Sequence, residues 1–233
     1  MIQQIESNDE GFTGMWSSCT SLDCGILFLN PKLRGDLFFN KLSSVTCTSE
    51  KMIDEAVIQF KKNHSKPYVY SLNYPELEKM LKRKGFSYHD TQHVIKNNRL
   101  STKKTQVTKI SPDNVSLWTG IFCESFDCPT WKGPVNEILK NSLSAVQYFV
   151  DESSSSCMAL YEKNSILGLY CLGTIPGKRK LGIASSLIDF ALSEVKSRNL
   201  EALILETYEK DNLIKYYSNL GFENVYCKKI FTL

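Results

Sequence analysis

The chain has 233 residues, of which 42% are hydrophobic and 23% are charged, and its formal net charge is +3. These values are typical of a folded protein of one large or two small domains, and they exclude disordered, collagen-like and coiled-coil chains. So small a net charge does not indicate a nucleic-acid or membrane surface, although it leaves room for an anionic ligand at one local place.

The N-terminus lacks the basic start and apolar run of a signal peptide. No stretch of about 18 or more residues is both uncharged and apolar throughout, so the sequence predicts no transmembrane helix. The eight cysteines contain no C-x-x-C pair, and the three histidines are not spaced to complete a zinc site. An even cysteine count permits disulfides, but without an export signal we expect free thiols, a cytoplasmic location and no metal.

The N-terminal part begins to show regular patterns at about residue 52. Apolar spacing predicts helices over residues 52–62 and 75–84, and runs rich in β-branched and aromatic residues predict strands over 68–72 and 86–95. The polar segment 97–105 follows and is the best candidate for a linker. It divides the chain into residues 1–100 and 106–233.

The C-terminal part alternates strand and helix patterns in the order βααβββαβαβ. Strands are predicted over residues 106–110, 146–150, 157–162, 166–175, 202–205 and 222–231, and helices over 111–125, 135–143, 181–198 and 211–220. This order predicts an α/β (α+β) fold with a mixed, mostly antiparallel sheet flanked by helices.

The stretch after the strand that ends at Thr174 has the composition of an anion site. Three cations, Lys178, Arg179 and Lys180, precede the small residues Gly182 and Ala184 at the start of a long helix. A helix N-terminus offers unpaired N–H groups and about half a positive charge, and small residues let a phosphate reach the backbone. Cations at this end oppose the helix dipole unless an anion binds there, so phosphate binding is preferred over a solvated turn.

Two motifs in this part resemble those of the GNAT acetyltransferase superfamily. Arg179-Lys180-Leu181-Gly182-Ile183-Ala184, preceded by Thr174-Ile175-Pro176, resembles its acetyl-CoA signature and lead-in. Tyr217-Ser218-Asn219-Leu220-Gly221-Phe222 is similar to its Tyr-x-x-x-Gly-Phe motif. The likeness covers residues 106–233, and the N-terminal part resembles only the last half of such a domain. The resemblance implies a GNAT acyl-CoA N-acyltransferase fold, possibly in tandem, with a degenerate first copy.

The resemblance also implies an acetyl-CoA site. Backbone groups of Leu172 and Thr174 would pair with the pantetheine amides, and the side chains of Arg179 and Lys180 would lie near the pyrophosphate. The backbone N–H groups implied to hold the pyrophosphate are those of Lys180, Leu181, Gly182, Ile183, Ala184 and Ser185.

The implied reaction is acetyl transfer to a primary amine by direct attack on the thioester. Tyr217 would protonate the departing thiolate. Residues 166–175 contain no carboxylate that could serve as the base many members place there, so Glu206 on the next strand is the best substitute. An exposed glutamate at a strand end is the alternative interpretation.

We therefore predict an acetyl-CoA-dependent N-acetyltransferase that acts on a small-molecule or peptide amine, without a metal. The alternative is a non-catalytic, CoA-binding GNAT-like module with a regulatory or binding function. The sequence does not identify the acceptor.

Overall fold

The structure, a computed structural model, describes residues 1–99, 101 and 105–233. Its α-helices are Ile2–Trp16 (α1), Glu50–Lys62 (α2), Pro75–Arg83 (α3), Val115–Ser125 (α4), Lys132–Ser142 (α5), Ile183–Ser197 (α6) and Ile214–Asn219 (α7). Its strands are Ser18–Leu22 (β1), Gly25–Leu29 (β2), Lys41–Ser43 (β3), Tyr68–Ser71 (β4), Ser87–Asn97 (β5), Val107–Lys109 (β6), Gln147–Asp151 (β7), Ser156–Lys163 (β8), Ile166–Thr174 (β9), Ala202–Tyr208 (β10) and Glu223–Thr232 (β11).

The predicted elements are all present, and the α/β class is confirmed. Four elements that the sequence did not reveal precede residue 50, namely α1, β1, β2 and β3. Helix α1 buries polar side chains and carries Gly11 and Gly14 in its interior, which hides its helical pattern. Part of the predicted linker, Leu100 and residues 102–104, lies outside the described residues.

The chain forms two compact units, and neither is continuous in sequence. The first unit comprises residues 1–12, 96–205 and 219–223, and the second comprises residues 13–95, 206–218 and 224–233. The division predicted after residue 100 lies close to one point where the chain passes between the units. However, the first twelve residues belong with the C-terminal part, and most of the last strand belongs with the N-terminal part.

In the first unit the strands lie in the order β10-β9-β8-β7-β6. β10 and β9 are parallel, and the remaining neighbours are antiparallel. Its core is built around Trp118 of α4, which stacks on Phe122 at 5.0 Å and meets Tyr148 edge-on at 5.1 Å. The indole N–H of Trp118 donates to the carbonyl of Met158 at 3.0 Å, so the ring's one polar atom is satisfied.

The first twelve residues are held in this unit by Asn8 of α1. Its amide donates to the carbonyl of Ile166 at 3.0 Å, and its oxygen accepts from the Tyr170 hydroxyl at 2.8 Å. Phe12 stacks on Tyr170 with ring centroids 3.9 Å apart. Gly11 is required at its position, because a Cβ there would lie 2.6 Å from the Tyr161 hydroxyl.

In the second unit the strands lie in the order β1-β2-β3-β4-β11-β5. Helices α2 and α3 bury their apolar faces in one cluster. The members of this cluster are Leu27, Leu29, Leu42, Met52, Ile53, Ala56, Phe60, Val69, Leu77, Met80, Leu81, Phe86 and Phe231.

A disulfide between Cys24 and Cys47 corrects the expectation that every cysteine is a free thiol. It joins the β1–β2 turn to the segment between β3 and α2, and the Cys24 sulfur also lies 3.6 Å from the Met52 sulfur. The two cysteines are 23 residues apart in sequence, so their pairing could not be seen in the spacing. None of the helices among the described residues has the length and apolar character needed to cross a membrane.

Candidate active site

Over its second half, strand β9 has a strand partner on only one edge among the described residues. It pairs with β8 as far as Thr174, whereas its register with β10 covers only the pairs from Ile166 to Gly168. Leu172 and Thr174, the residues predicted to contact pantetheine, both lie beyond this register. The Thr174 carbonyl accepts from Nε of Arg179. The other backbone groups on that edge can pair with an extended ligand that adds to β9 like a further strand.

The same half of β9 contains a β-bulge. The pairing with β8 shifts between Cys157 and Ala159, so β9 has one residue more than its partner there. Cys171 lies in the bulge and has a φ of 53°, in the left-handed region. A bulge bends its strand and increases the local twist, which turns the end of β9 away from the regular course of the sheet.

The segment after β9 forms an exposed loop that leads into α6. A short 3-10 helix spans Pro176–Lys178, and Lys180 follows with a φ of 65°. Gly182 is the N-cap of α6 with a φ of 80°, and no side chain in the described part of the chain caps this helix end. Glycine suits this position because left-handed backbone costs it no steric penalty.

The N-terminus of α6 fits an anionic group. The N–H of Ser186 donates to the carbonyl of Gly182 at 3.0 Å, so the N–H groups of residues 183–185 precede the first hydrogen bond within the helix. The aligned peptide dipoles add partial positive charge at this end, and Lys178 and Lys180 add two exposed cations beside it. The predicted pyrophosphate site includes these N–H groups, and it stays a prediction.

The Arg179 side chain braces the loop. Its Nε atom donates to the carbonyl of Thr174 at 3.1 Å, and its Nη2 atom donates to the carbonyl of Ser125 at 2.8 Å. The guanidinium thus joins the end of β9, the loop and the last residue of α4. The sequence predicted Arg179 only as a cation near the pyrophosphate, and the bracing contacts were not foreseen.

The end of α4 packs directly on β9 at Gly173. A Cβ on Gly173 would lie 2.7 Å from the Phe126 ring and 2.8 Å from the Cβ of Ser125. Ser125 is buried, and its hydroxyl oxygen has no hydrogen-bond partner among the described residues. This leaves a polar atom beside the strand that is predicted to hold pantetheine.

Tyr217 lies in the second unit, on α7. Its side chain is 7% exposed, and its ring meets that of Tyr216 edge-on at 5.2 Å. Burial raises the pKa of the Tyr217 phenol above its usual value, and the neighbouring Tyr216 and Asp211 add to the shift. The hydroxyl therefore keeps its proton throughout the neutral range, as a general acid must.

Glu206, also in the second unit, is not the exposed strand-end residue of the alternative interpretation. Its side chain is 4% exposed and lies 3.1 Å from the ammonium of Lys228, which is itself buried. The amide of Gln92 donates to the other carboxylate oxygen at 2.9 Å. Both carboxylate oxygens therefore have a partner in the interior, and this pairing favours a structural role.

Sequence reasoning missed Gln92 and Lys228. Gln92 lies on β5 and Lys228 lies on β11. The residue two positions from each, Asp90 and Ile230 respectively, is also buried. The alternation along these strands was therefore the signal that could have placed two polar side chains in the interior.

In the N-terminal part, helix α2 also follows a strand, but its N-terminus differs from that of α6. The hydroxyl of Ser49 accepts from the N–H of Met52 at 3.2 Å, and Glu50 lies in the first turn. The side-chain cap satisfies a backbone donor, and the carboxylate repels an anion. The start of α2 is therefore unsuited to phosphate.

No family model matches the sequence, and no curated protein matches it. Solved structures do match the fold. A GCN5-related N-acetyltransferase from Kribbella flavida has a TM-score of 0.70 at 10% identity, over 98% of this chain and 93% of the other. A conserved protein of unknown function from Staphylococcus epidermidis ATCC 12228 has a TM-score of 0.68 at 15% identity, over 93% of each chain.

A tandem GNAT protein from the clavulanic acid biosynthesis pathway, whose structure was solved without acetyl-CoA, matches with a TM-score of 0.59 at 8% identity. The match covers 83% of this chain and 74% of that protein. The chain has the GNAT fold. The predicted GNAT fold class is thus confirmed, with a tandem GNAT protein among the structural neighbours. At these identities the likeness establishes the fold alone, and the activity rests on the residues of this chain.

Proposed function

We propose that this GNAT-fold chain is an N-acetyltransferase that moves an acetyl group from acetyl-CoA to a primary amine of a small molecule or peptide. The observation that carries the proposal is the uncapped N-terminus of α6, with Gly182 in the left-handed region and Lys178 and Lys180 beside it. It follows a strand, β9, whose register with β10 ends at Gly168. These features provide donors for a pyrophosphate and a backbone edge for a chain of amides.

The proposed reaction is a direct transfer. The acceptor amine attacks the thioester carbonyl, and a backbone N–H stabilises the oxyanion of the tetrahedral intermediate. The C–S bond then breaks, and Tyr217 is the proposed donor of a proton to the departing thiolate. The proton that the attacking nitrogen loses passes to solvent, since Glu206 is held in an ion pair.

A second candidate function is CoA binding without catalysis. It is favoured by the pairing of Glu206 with Lys228 and Gln92, which leaves the predicted base engaged. Residues 166–175 also contain no carboxylate.

Two measurements on the full chain test the proposal and separate the two functions. Calorimetry with CoA should show binding, and a thiol-release assay with acetyl-CoA over a panel of amines and peptides should show turnover. Binding without turnover of any acceptor would leave only the second function. No binding of CoA would exclude both.

Substitutions at Gly182 localise the CoA site. Gly182→Glu should abolish CoA binding, because the carboxylate repels phosphate at the helix N-terminus. Gly182→Asn is the matched control, since asparagine tolerates left-handed backbone and adds no charge. Retained binding in Gly182→Glu would place the anion elsewhere.

A further inference from the structure

A thiol and an imidazole are in contact in the second unit, on the neighbouring strands β11 and β5. The Cys227 sulfur lies 3.2 Å from Nδ1 of His93, and both residues are partly exposed. In the imidazole tautomer that carries its proton on Nε2, Nδ1 accepts a hydrogen bond from the Cys227 thiol. Neither residue belongs to the proposed acetyltransferase site.

The other cysteines differ in their surroundings, and of these Cys171 is partly exposed, in the bulge of β9. Cys24 and Cys47 form the disulfide, and Cys123, Cys128 and Cys157 are buried. Burial raises the pKa of the Cys123 and Cys157 thiols, which opposes formation of a thiolate. Cys19 is exposed on β1 and serves as a reference for solvent access.

We propose that Cys227 and His93 form a nucleophilic thiol site that is modified by hydroperoxides. A base next to the sulfur is one requirement for such a reaction, and access from solvent is the other. Cys227 meets the second requirement, since it is partly exposed and its sulfur lies 3.8 Å from Oδ1 of Asn224, an exposed residue.

The imidazole has two uses in this reaction. His93 takes the proton from Cys227 as the sulfur attacks one oxygen of the peroxide and the O–O bond breaks. The leaving hydroxide, or alkoxide, then takes that proton from His93 and departs as water or an alcohol. The sulfur is oxidised to a sulfenic acid, and the hydroperoxide is reduced.

The test uses hydrogen peroxide and dimedone, which traps sulfenic acids, with the label at each cysteine quantified by mass spectrometry. In the full-length wild-type protein at pH 7, Cys227 should be labelled at least about tenfold faster than Cys19, since a positioned acid–base group typically contributes about 10²-fold or more. His93→Gln should lower the Cys227 rate to about that of Cys19, because glutamine can hydrogen-bond but does not carry a proton between groups.

The rate at Cys19 in the same sample controls for reagent and for general exposure, and a thermal melt checks the fold of the variant. Equal rates at Cys227 and Cys19 in the wild-type protein would overturn the proposal without any variant. A Cys227 rate unchanged in a folded His93→Gln protein would overturn the role of the imidazole. Failure of either test leaves the proposed acetyltransferase activity unaffected.

Discussion

The guanidinium of Arg179 donates to the backbone carbonyl of Ser125 at 2.8 Å, which joins the loop before α6 to the end of α4. Its second bond, to the carbonyl of Thr174, fixes the same loop to β9. An anion site made of backbone N–H groups depends on the course of its loop. A side chain that holds the loop at two points would therefore organise the proposed site even without contacting the ligand.

Arg179→Ala should weaken CoA binding by about tenfold, or about 1.4 kcal/mol, as measured by calorimetry. Arg179→Lys distinguishes bracing from charge, because lysine keeps the cation but not the fork that reaches two carbonyls. If Arg179→Lys binds CoA as weakly as Arg179→Ala does, the bracing dominates. Wild-type affinity in Arg179→Lys would show that charge alone matters.

Gly173→Ala should lower the free energy of unfolding by about 1–3 kcal/mol, because the new methyl group would overlap Ser125 and Phe126. Gly177→Ala is the matched control in the same region, since a Cβ there has no atom within 4 Å among the described residues. Urea unfolding of both variants gives the comparison. Equal free energies of unfolding in Gly173→Ala and Gly177→Ala would mean that α4 can shift to accommodate the new methyl group without a loss of stability.

Lys228→Met should lower the free energy of unfolding by about 3–5 kcal/mol, because it leaves the Glu206 carboxylate buried without its cation. The double variant Lys228→Met/Glu206→Leu should recover most of the loss, since it removes both charges. Urea unfolding of the single and double variants completes the cycle.

The thiol-release assay of Glu206→Gln then tests the predicted catalytic role of this residue. Turnover close to the wild-type value would assign Glu206 to structure. A large loss of turnover in a stably folded Glu206→Gln protein would instead support its role as the base.

Tyr217→Phe should reduce turnover and leave CoA binding unchanged, because it removes only the hydroxyl group that is proposed to donate the proton. The pH dependence of stability checks the environment of the hydroxyl. Since burial raises the pKa of Tyr217 in the folded state, the unfolded chain loses this proton first, at about pH 10. The folded state therefore loses stability as the pH rises above about 10, and the contribution is fully present below that value.

Urea unfolding between about pH 8 and 11 measures this loss, which should be smaller in Tyr217→Phe than in the wild-type protein. Tyr208→Phe should also reduce it, because burial raises the pKa of Tyr208 as well. An identical pH dependence in wild-type protein and Tyr217→Phe would show that the Tyr217 hydroxyl is open to solvent.

Cys47→Ser should lower the free energy of unfolding by about 3 kcal/mol, because the bond between Cys24 and Cys47 restricts the unfolded chain. Cys19→Ser, at an exposed position outside the disulfide, should change it by less than about 0.5 kcal/mol. Alkylation of unreduced protein in denaturant tests the bond itself. Labelling of both Cys24 and Cys47 without reductant would contradict it.

Local patterns were sufficient for the elements from residue 50 onward. The helix α6 was predicted because its buried residues, such as Leu187, Ala191 and Val195, recur at three- and four-residue intervals. The same reasoning failed for α1, where Asn8 is buried and polar, since its amide satisfies groups far along the chain. No local pattern indicates that a polar residue will find such partners.

The sequence by itself determined the order of strands and helices in the C-terminal part, and its resemblance to the GNAT motifs indicated the fold class, whereas the position of the anion site stays a prediction. These depend on short-range spacing and on residues close together in the chain, such as Gly182 and the cations that precede it. The tertiary structure decided which distant residues meet. It packed Asn8 against Ile166, braced the loop through Arg179 and Ser125, paired Glu206 with Lys228 and placed His93 beside Cys227. These contacts depend on strand register and on helix packing between remote segments, which hydrophobic periodicity does not encode.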